Sequence, residues 1–202
     1  EFTHVYYKIM SQEKLTCQVV GGSMHPNPMI VDRVTIGNRE YSVSAIKDSA
    51  FWNATHITSV YIPNGIESIG IHAFRNCDRL SDIDLPPSLK RLGQGAFYRC
   101  LGLVSCQLSP SLTAIPAECF ALDINIREVN IPDEVKVLGF DCFSGCESLK
   151  SITLPQGLEV IERGVFYNCY ALEEISIPAS VRDIGEYTFF HCRNLKHVYM
   201  HS

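Results

Sequence analysis

The sequence predicts a β-rich solenoid, a curved stack of short coils whose parallel strands lie side by side. Three observations support this prediction. Phenylalanine recurs every 23 residues seven times in succession, proline follows it at a fixed distance in five units, and Leu or Ile holds a third register. A repeat of about 20–29 residues that is dense in Leu and Ile is the leucine-rich-repeat signature, so we expect a solenoid of that class. The seven phenylalanines are Phe51, Phe74, Phe97, Phe120, Phe143, Phe166 and Phe189.

One unit shows how the residue types predict each element. Apolar and polar side chains alternate in residues 80–85, which is the pattern of a short, half-buried strand. Pro86 ends this strand, because proline has no N–H to donate to a ladder. Residues 89–92 carry Leu three positions apart and indicate a second short segment, either extended or in a turn. Gly93 allows a bend, and residues 95–100 are expected to form a single short helical turn.

The chain divides into two regions. Residues 1–30 contain two strand patterns, Val5–Met10 and Leu15–Val20, which predict an N-terminal β-hairpin cap followed by a loop. Residues 31–202 are predicted to form the solenoid, and its variant first repeat carries a short insertion near residues 37–40. The six full repeats are Val60–Asp82, Ile83–Ser105, Cys106–Glu128, Val129–Ser151, Ile152–Glu174 and Ile175–His197.

The repeat that begins at Cys106 departs from the pattern of the others. Pro116 stands where most repeats have Gly, Cys119 stands in the Ala position, and Asp123 stands in the Cys position. Ser109 replaces the proline that ends the strand in the other repeats. We therefore expect a local kink or looser packing at this coil.

Composition and motifs exclude several classes of function. Lys plus Arg number 17 and Asp plus Glu number 22, which gives a net charge of −5 with no basic cluster, so we expect no nucleic-acid binding. No apolar run approaches the roughly 20 residues of a membrane span. No basic segment followed by an apolar stretch is present, so the N-terminus does not indicate the localisation. Without a nucleophile elbow, a P-loop or a dinucleotide fingerprint, we expect no enzyme and no cofactor.

The nine cysteines are a separate candidate for chemistry, as metal ligands, redox pairs or core residues. Five of them share the 23-residue phase, which small disulfide scaffolds do not show, and this favours one free core thiol per coil. The thiols are also expected to bond to backbone groups of the turns, and Asp123 in the same position fits that idea. A zinc site needs four convergent ligands, so we expect no metal. The five phased cysteines are Cys77, Cys100, Cys146, Cys169 and Cys192.

The repeat from Ile152 to Leu172 resembles the BspA-like leucine-rich repeats, whose pattern is I-x-L/I-P-x-x-V/L-x-x-I-G-x-x-A-F-x-x-C-x-x-L. The matching residues are Ile152, Leu154, Pro155, Leu158, Ile161, Val165, Phe166, Cys169 and Leu172. The resemblance covers about Val31–Met200. It implies a cell-surface or secreted bacterial protein, since members of that family are of this kind and some bind host extracellular-matrix proteins or other bacteria.

The exposed positions of the predicted strands are the candidate binding site. In each repeat one such position is polar or aromatic, and the seven together form a flat hydrophilic column that we call the strand face. The strand face consists of Tyr61, Asp84, Gln107, Asn130, Thr153, Ser176 and Tyr199. Its two tyrosines are the best candidate anchors, because Tyr provides contact area at a low cost in entropy. A solvated sheet surface without a ligand is the alternative interpretation.

A second aromatic column follows the phenylalanines by one residue. It consists of Trp52, Tyr98, Tyr167 and Phe190, which lie either on the convex edge or over turns between coils.

Two hypotheses of function follow. The first is a monomeric, non-catalytic adhesion module whose solenoid face recognises a glycan or a protein, such as a host extracellular-matrix or cell-surface protein. The second is a structural spacer or self-association domain, with its contact at the end near Met200, where no second cap is visible.

Overall fold

A computed structural model describes residues 5–22 and 25–201 of the chain. They form a β-solenoid of about eight turns, which confirms the predicted fold class. Residues 1–4 and 23–24 of the predicted cap and loop, and Ser202, lie outside the described residues. The strands of the N-terminal part are β1 (Val5–Ser11), β2 (Thr16–Gly22), β3 (Arg33–Ile36) and β4 (Arg39–Ile46).

Each later coil contributes short strands to two parallel columns. The first column contains β5 (Ser59–Val60), β7 (Asp82–Ile83), β9 (Ser105–Gln107), β11 (Glu128–Asn130), β14 (Glu174–Ile177) and β16 (His197–Met200). The second column contains β6 (Ser68–Ile69), β8 (Arg91–Leu92), β10 (Ala114–Ile115), β12 (Val137–Leu138), β13 (Val160–Ile161) and β15 (Asp183–Ile184). Paired residues are 23 positions apart, as in Ser59 with Asp82 and Ser68 with Arg91. The first column consists of the strands that the sequence predicts in each repeat. The second column shows that the second short segment of each repeat, such as residues 89–92, is extended and not a turn.

The turns that follow the second strand are not helical, which corrects the expectation for residues 95–100. Two residues in this segment, Gly95 and Arg99, have left-handed φ values of 56° and 57°, and a right-handed helical turn cannot contain them. The turns instead bond to the next coil, for example from Phe74 N to Ala96 O and from Asn76 N to Tyr98 O, both at 2.8 Å. We call these stacked turns the turn edge.

The phenylalanine stack is the centre of the core. The rings of successive coils lie 5.2–6.1 Å apart between centroids and within 3–12° of parallel, from Phe51 through Phe189. Aromatic pairs at such distances are favourable when the rings are offset. Most Leu, Ile and Val side chains of the two strand columns belong to the same buried core, whereas Ile184 and Val198 of the last strands are exposed. Each coil therefore completes the core of its neighbour.

A β-hairpin lies at the N-terminal end of the second column, as predicted. β1 and β2 pair antiparallel, and β2 pairs in parallel with β4, which continues into β6. The insertion near residues 37–40 forms a second hairpin, in which β3 pairs antiparallel with β4. Arg33 and Glu40 form an exposed ion pair across it at 2.8 Å. The sequence did not predict this second hairpin.

The coil formed by the repeat that begins at Cys106 interrupts the second strand column, but its core residues remain buried. β8 and β10 do not pair, whereas the strands on either side of this gap do. Pro116 accounts for part of the gap, because it lacks the N–H that Gly93 donates to Ile69 O at 2.8 Å in the preceding coil. Ile115 and Phe120 nevertheless remain fully buried, so the expected looser packing is absent.

We predict that Gly93→Ala destabilises the solenoid by about 1–3 kcal/mol. A Cβ at residue 93 would overlap Ile71 N and the carbonyl carbon of Gly70, which are backbone atoms of the neighbouring coil. Urea denaturation followed by circular dichroism measures the loss. Gly157→Ala is the matched control, because a Cβ there meets only the flexible end of Lys136. Equal midpoints for the two variants would contradict the close approach of the coils.

Candidate functional site

The structure places all seven strand-face residues at exposed positions along the first strand column. Asp84 pairs in register with Gln107, Gln107 with Asn130, and Asn130 with Thr153. Ser176 pairs with Tyr199 in the same way. The side chains on either side of the first six residues are buried, so the alternation of the sequence sets their exposure, whereas Val198 and Met200 beside Tyr199 are exposed as well. Ligand binding by these residues stays a prediction.

The two tyrosines of the strand face do not form one site. They are six repeats apart, and each has its own surroundings. Tyr61 is 60% exposed and forms a parallel bridge with Met29, while Tyr199 is 46% exposed and has its ring centroid 5.7 Å from that of His197. A small ligand would therefore contact only one of them.

Two recesses lie along the strand face that sequence reasoning missed. One, of about 480 Å³, contains Gln107 and Asn130. Pro110, Pro132, Asp133 and Glu134 of the loops after β9 and β11 form its other wall. The second, of about 250 Å³, lies between Thr153 and Ser176. The proline-containing segments that follow the strands were the sequence signal that could have predicted these recesses, because such segments line the larger one beside the strand-face residues.

The second aromatic column lies on the turn edge, and its members differ in their surroundings. Trp52 is 52% exposed, and Tyr98 is partly covered by the guanidinium of Arg75, whose Cζ lies 3.8 Å from the ring centroid. Tyr167 and Phe190 stack at 5.5 Å between centroids. The alternative that these residues pack over turns is thus correct for Tyr98 and Tyr167.

The phased cysteines form a ladder of hydrogen bonds. Each donates its S–H to the carbonyl oxygen of the phenylalanine 26 residues earlier, at 3.0–3.2 Å, as Cys100 does to Phe74. All nine cysteines are free thiols, and every one except Cys192 is buried. Burial raises the pKa of Cys77 to about 12 and that of Cys192 to about 11. Only a thiolate acts as nucleophile or metal ligand, so these thiols are held in the unreactive form.

Asp123 is the one member of this register with an acidic side chain. It is fully buried, and its Oδ1 accepts a hydrogen bond from Cys100 N at 2.5 Å. Its Oδ2 has no partner among the described residues. Burial raises the pKa of the Asp123 carboxyl well above its ordinary value, and the bond from Cys100 N opposes this only in part. When it is protonated, the Asp123 carboxyl carries an O–H donor in the place where the other coils carry the S–H donor of a thiol.

No group of three or more His, Cys, Asp and Glu side chains within residues 5–22 and 25–201 is arranged to hold a metal ion. The same residues contain no helix with the length and hydrophobicity that a membrane crossing requires.

Comparison with known proteins agrees with this geometry. The sequence matches the family described as BspA type leucine rich repeat region, with six copies, over residues 44–128 and 113–202. The chain therefore belongs to the BspA-type leucine-rich repeat family. A comparison with curated protein sequences finds no match.

Solved bacterial structures share the fold over nearly the whole chain. A leucine-rich repeat protein from Bacteroides ovatus ATCC 8483 is 29% identical, with a TM-score of 0.88 over 98% of this chain and 52% of its own. A leucine-rich cell surface protein from Faecalibacterium prausnitzii A2-165 is 30% identical, with a TM-score of 0.86 over 99% of this chain and 55% of its own. The T. pallidum leucine-rich repeat protein is 23% identical, with a TM-score of 0.84 over 96% of this chain and 88% of its own, and shows the fold alone. The chain thus spans about half the length of the first two proteins.

We predict that thiol titration separates the folded from the unfolded protein. Denatured without reductant, the chain should show nine reactive thiols, because all nine cysteines are free. In the native protein only Cys192 should react within minutes, because it alone is partly exposed. Absorbance of a released aromatic thiol measures both values. Fewer than nine thiols after denaturation would reveal disulfides, and fast reaction of several thiols in the native state would contradict their burial.

We predict that Asp123→Asn increases stability at neutral pH by about 1–3 kcal/mol, because folding moves a carboxylate that is ionised in the unfolded chain into a buried position that disfavours its charge, whereas the amide is neutral in both states. The raised pKa of Asp123 means that the native state binds the proton more tightly than the unfolded state. Wild-type stability should therefore be highest below the unfolded pKa of about 4 and fall as pH rises toward the folded pKa. The amide introduced by the substitution does not titrate, so the variant should lack this fall.

Urea denaturation of the wild type and of Asp123→Asn between pH 3.5 and 8 gives the difference in their free energies of unfolding at each pH. Asp133→Asn is the control, since Asp133 is exposed and its replacement should leave the pH dependence unchanged. A wild type that gains stability over variant Asp123→Asn with rising pH would show the opposite sign and contradict the interpretation.

Proposed function

We propose that the chain is a non-catalytic binding module of a bacterial surface or secreted protein, which recognises a protein or a glycan through the strand face. The observation that carries this proposal is the continuous row of exposed side chains along the first strand column, with a recess of about 480 Å³ beside Gln107 and Asn130. Extended solenoid surfaces serve recognition because many coils contribute contacts to one partner. Membership of the BspA-type family and the similarity to a cell surface protein of Faecalibacterium prausnitzii support the proposed localisation at the cell surface or outside the cell.

The chemistry of the strand face favours recognition by hydrogen bonds. Gln107 and Asn130 each carry a carbonyl oxygen and an amide group, and Thr153 and Ser176 carry hydroxyls that donate and accept. These side chains are exposed, so a partner replaces water on them at little cost. The buried thiols lie beneath this surface with their pKa raised by burial, which supports a non-catalytic role.

A self-associating spacer is the second candidate. It is favoured by the last described strand, β16, in which Val198 is 42% and Met200 is 64% exposed. Sedimentation velocity at increasing protein concentration separates the two candidates. A binding module remains a monomer, whereas a self-associating spacer shifts to larger species.

We predict that Gln107→Arg/Asn130→Arg abolishes strand-face binding, because two guanidinium groups would fill the recess and remove its amides. The purified protein is screened by surface plasmon resonance against extracellular-matrix proteins and a glycan panel. A partner found in this screen should bind the double variant at least ten-fold more weakly. Thr113→Arg/Ala114→Arg is the matched control, because it adds the same charge at exposed positions of the second strand column.

Equal loss in both double variants would indicate a general charge effect and contradict a strand-face site. Binding that persists in Gln107→Arg/Asn130→Arg would place the site elsewhere. The variant Tyr61→Ala/Tyr199→Ala then reports whether either end of the strand face takes part.

A further inference from the structure

A recess on the turn edge brings polar and aromatic side chains together from three successive coils. It has a volume of about 260 Å³, and its lining residues are Asp141, Ser144, Arg163, Gly164, Tyr167 and Tyr187. Ser144 and Gly164 are small at registers where the next coil carries Tyr167 and Tyr187, which leaves room for the recess. It lies away from the strand face.

The polar groups of this recess lack partners within the described part of the chain. Neither the Asp141 carboxylate nor the Arg163 guanidinium forms an ion pair or a side-chain hydrogen bond there, and the Ser144 hydroxyl forms no hydrogen bond. Burial raises the pKa of Asp141, against the opposing effect of Arg163, so part of the hydration of this carboxylate is already lost. A carboxylate acceptor, a hydroxyl and a guanidinium donor are thus available to a ligand in one small space.

Another arginine on the turn edge, at a different position of its repeat, shows the contrast. Arg75 lies 3.8 Å from the centroid of Tyr98, 3.9 Å from the Glu118 carboxylate and 3.3 Å from His72 Nε2. Its donors are directed to groups of the protein itself. Among the described residues, the Arg163 guanidinium lies over the rings of Phe140, at 5.7 Å from the centroid, and of Tyr187, at 5.3 Å, and forms no ion pair. Its polar hydrogens therefore remain available.

The aromatic rings beside the recess present apolar faces. Tyr187 is 52% and Phe190 is 46% exposed, and the two rings are perpendicular with centroids 5.8 Å apart. Phe190 is fixed in place by stacking on Tyr167 at 5.5 Å and on His191 at 4.2 Å. Tyr187 also has a left-handed φ of 60°, where Gly or Asn is less strained. The chain thus keeps a large ring at a position whose backbone disfavours it.

We propose that this recess binds a neutral sugar residue of a glycan. The apolar C–H face of a pyranose ring stacks on Tyr187, and its neighbouring hydroxyls donate to Asp141 and accept from Arg163. A recess of 260 Å³ is smaller than the roughly 300–1,000 Å³ of sites for drug-sized ligands and fits a single ring. The carboxylate of Asp141 disfavours an acidic sugar. The inference concerns a different surface from the strand face and stands or falls independently of it.

Saturation-transfer difference NMR on the whole chain tests the proposal. The probes are the methyl glycosides of glucose, galactose, mannose and N-acetylglucosamine, with N-acetylneuraminic acid as the acidic comparison. At least one neutral glycoside should receive saturation, mainly at its ring C–H protons. Tyr187→Asn removes the aromatic face and relieves the left-handed backbone, so it should fold at least as well as wild type and bind at least ten-fold more weakly.

Two further variants make the test specific. Asp141→Asn introduces a residue that also tolerates the left-handed backbone, and it retains one side-chain oxygen as acceptor. Because it removes the negative charge, it should weaken sugar binding several-fold. Trp52→Ala removes an equally exposed ring elsewhere on the turn edge, outside the residues that line the recess, and should leave binding unchanged. The double variant Thr113→Arg/Ala114→Arg, whose positions line neither this recess nor the one on the strand face, should also retain sugar binding.

The proposal is overturned if no neutral glycoside receives saturation, or if only N-acetylneuraminic acid does. It is also overturned if Tyr187→Asn binds as wild type does, or if Trp52→Ala loses as much as Tyr187→Asn.

Discussion

Backbone hydrogen bonds between neighbouring coils hold each repeat in register with the next, so that residues 23 positions apart lie side by side. They run through both strand columns and through the turns, as from Phe74 N to Ala96 O. Since the coils lie as close as two strands in a sheet, a side chain is always next to its own equivalent. Only side chains that pack against copies of themselves suit the interior. Phenylalanine rings stack and thiols donate to the carbonyls of the adjacent coil, while Gly93 lets two backbones approach.

The same constraint explains the consequences of a single departure. Pro116 lacks one N–H and interrupts the second strand column, yet the phenylalanine stack passes through this coil and keeps Phe120 buried. Asp123 replaces a thiol with a carboxyl group of similar size. In the dry interior the charge is costly, so the neutral form is favoured there. Packing of the core thus preserves the repeat register. The substitutions instead cost stability through the hydrogen bond that Pro116 cannot donate and through the raised pKa of Asp123.

Much of the fold could be predicted because its signals repeat. The period predicted the phenylalanine stack and the first strand column, and alternation predicted the hairpin of β1 and β2. The second column consists of strands of only two residues, which are too short to show alternation. The left-handed turns were missed, although Asn53, Asn76, Gly145 and Asn168 mark one of their two registers with the residue types that tolerate this conformation.

The sequence by itself determined which side chains of the first strand column face the solvent, because alternation fixes the face of a residue in an extended segment. It therefore predicted that all seven strand-face residues are exposed. Only the tertiary structure decided where this surface is recessed and which polar groups remain unpaired. Arg75 and Arg163 show why, since both are arginines of the turn edge, but only Arg75 lies within 4 Å of a glutamate. Such differences depend on side chains one or two coils away, which become neighbours only when the coils stack.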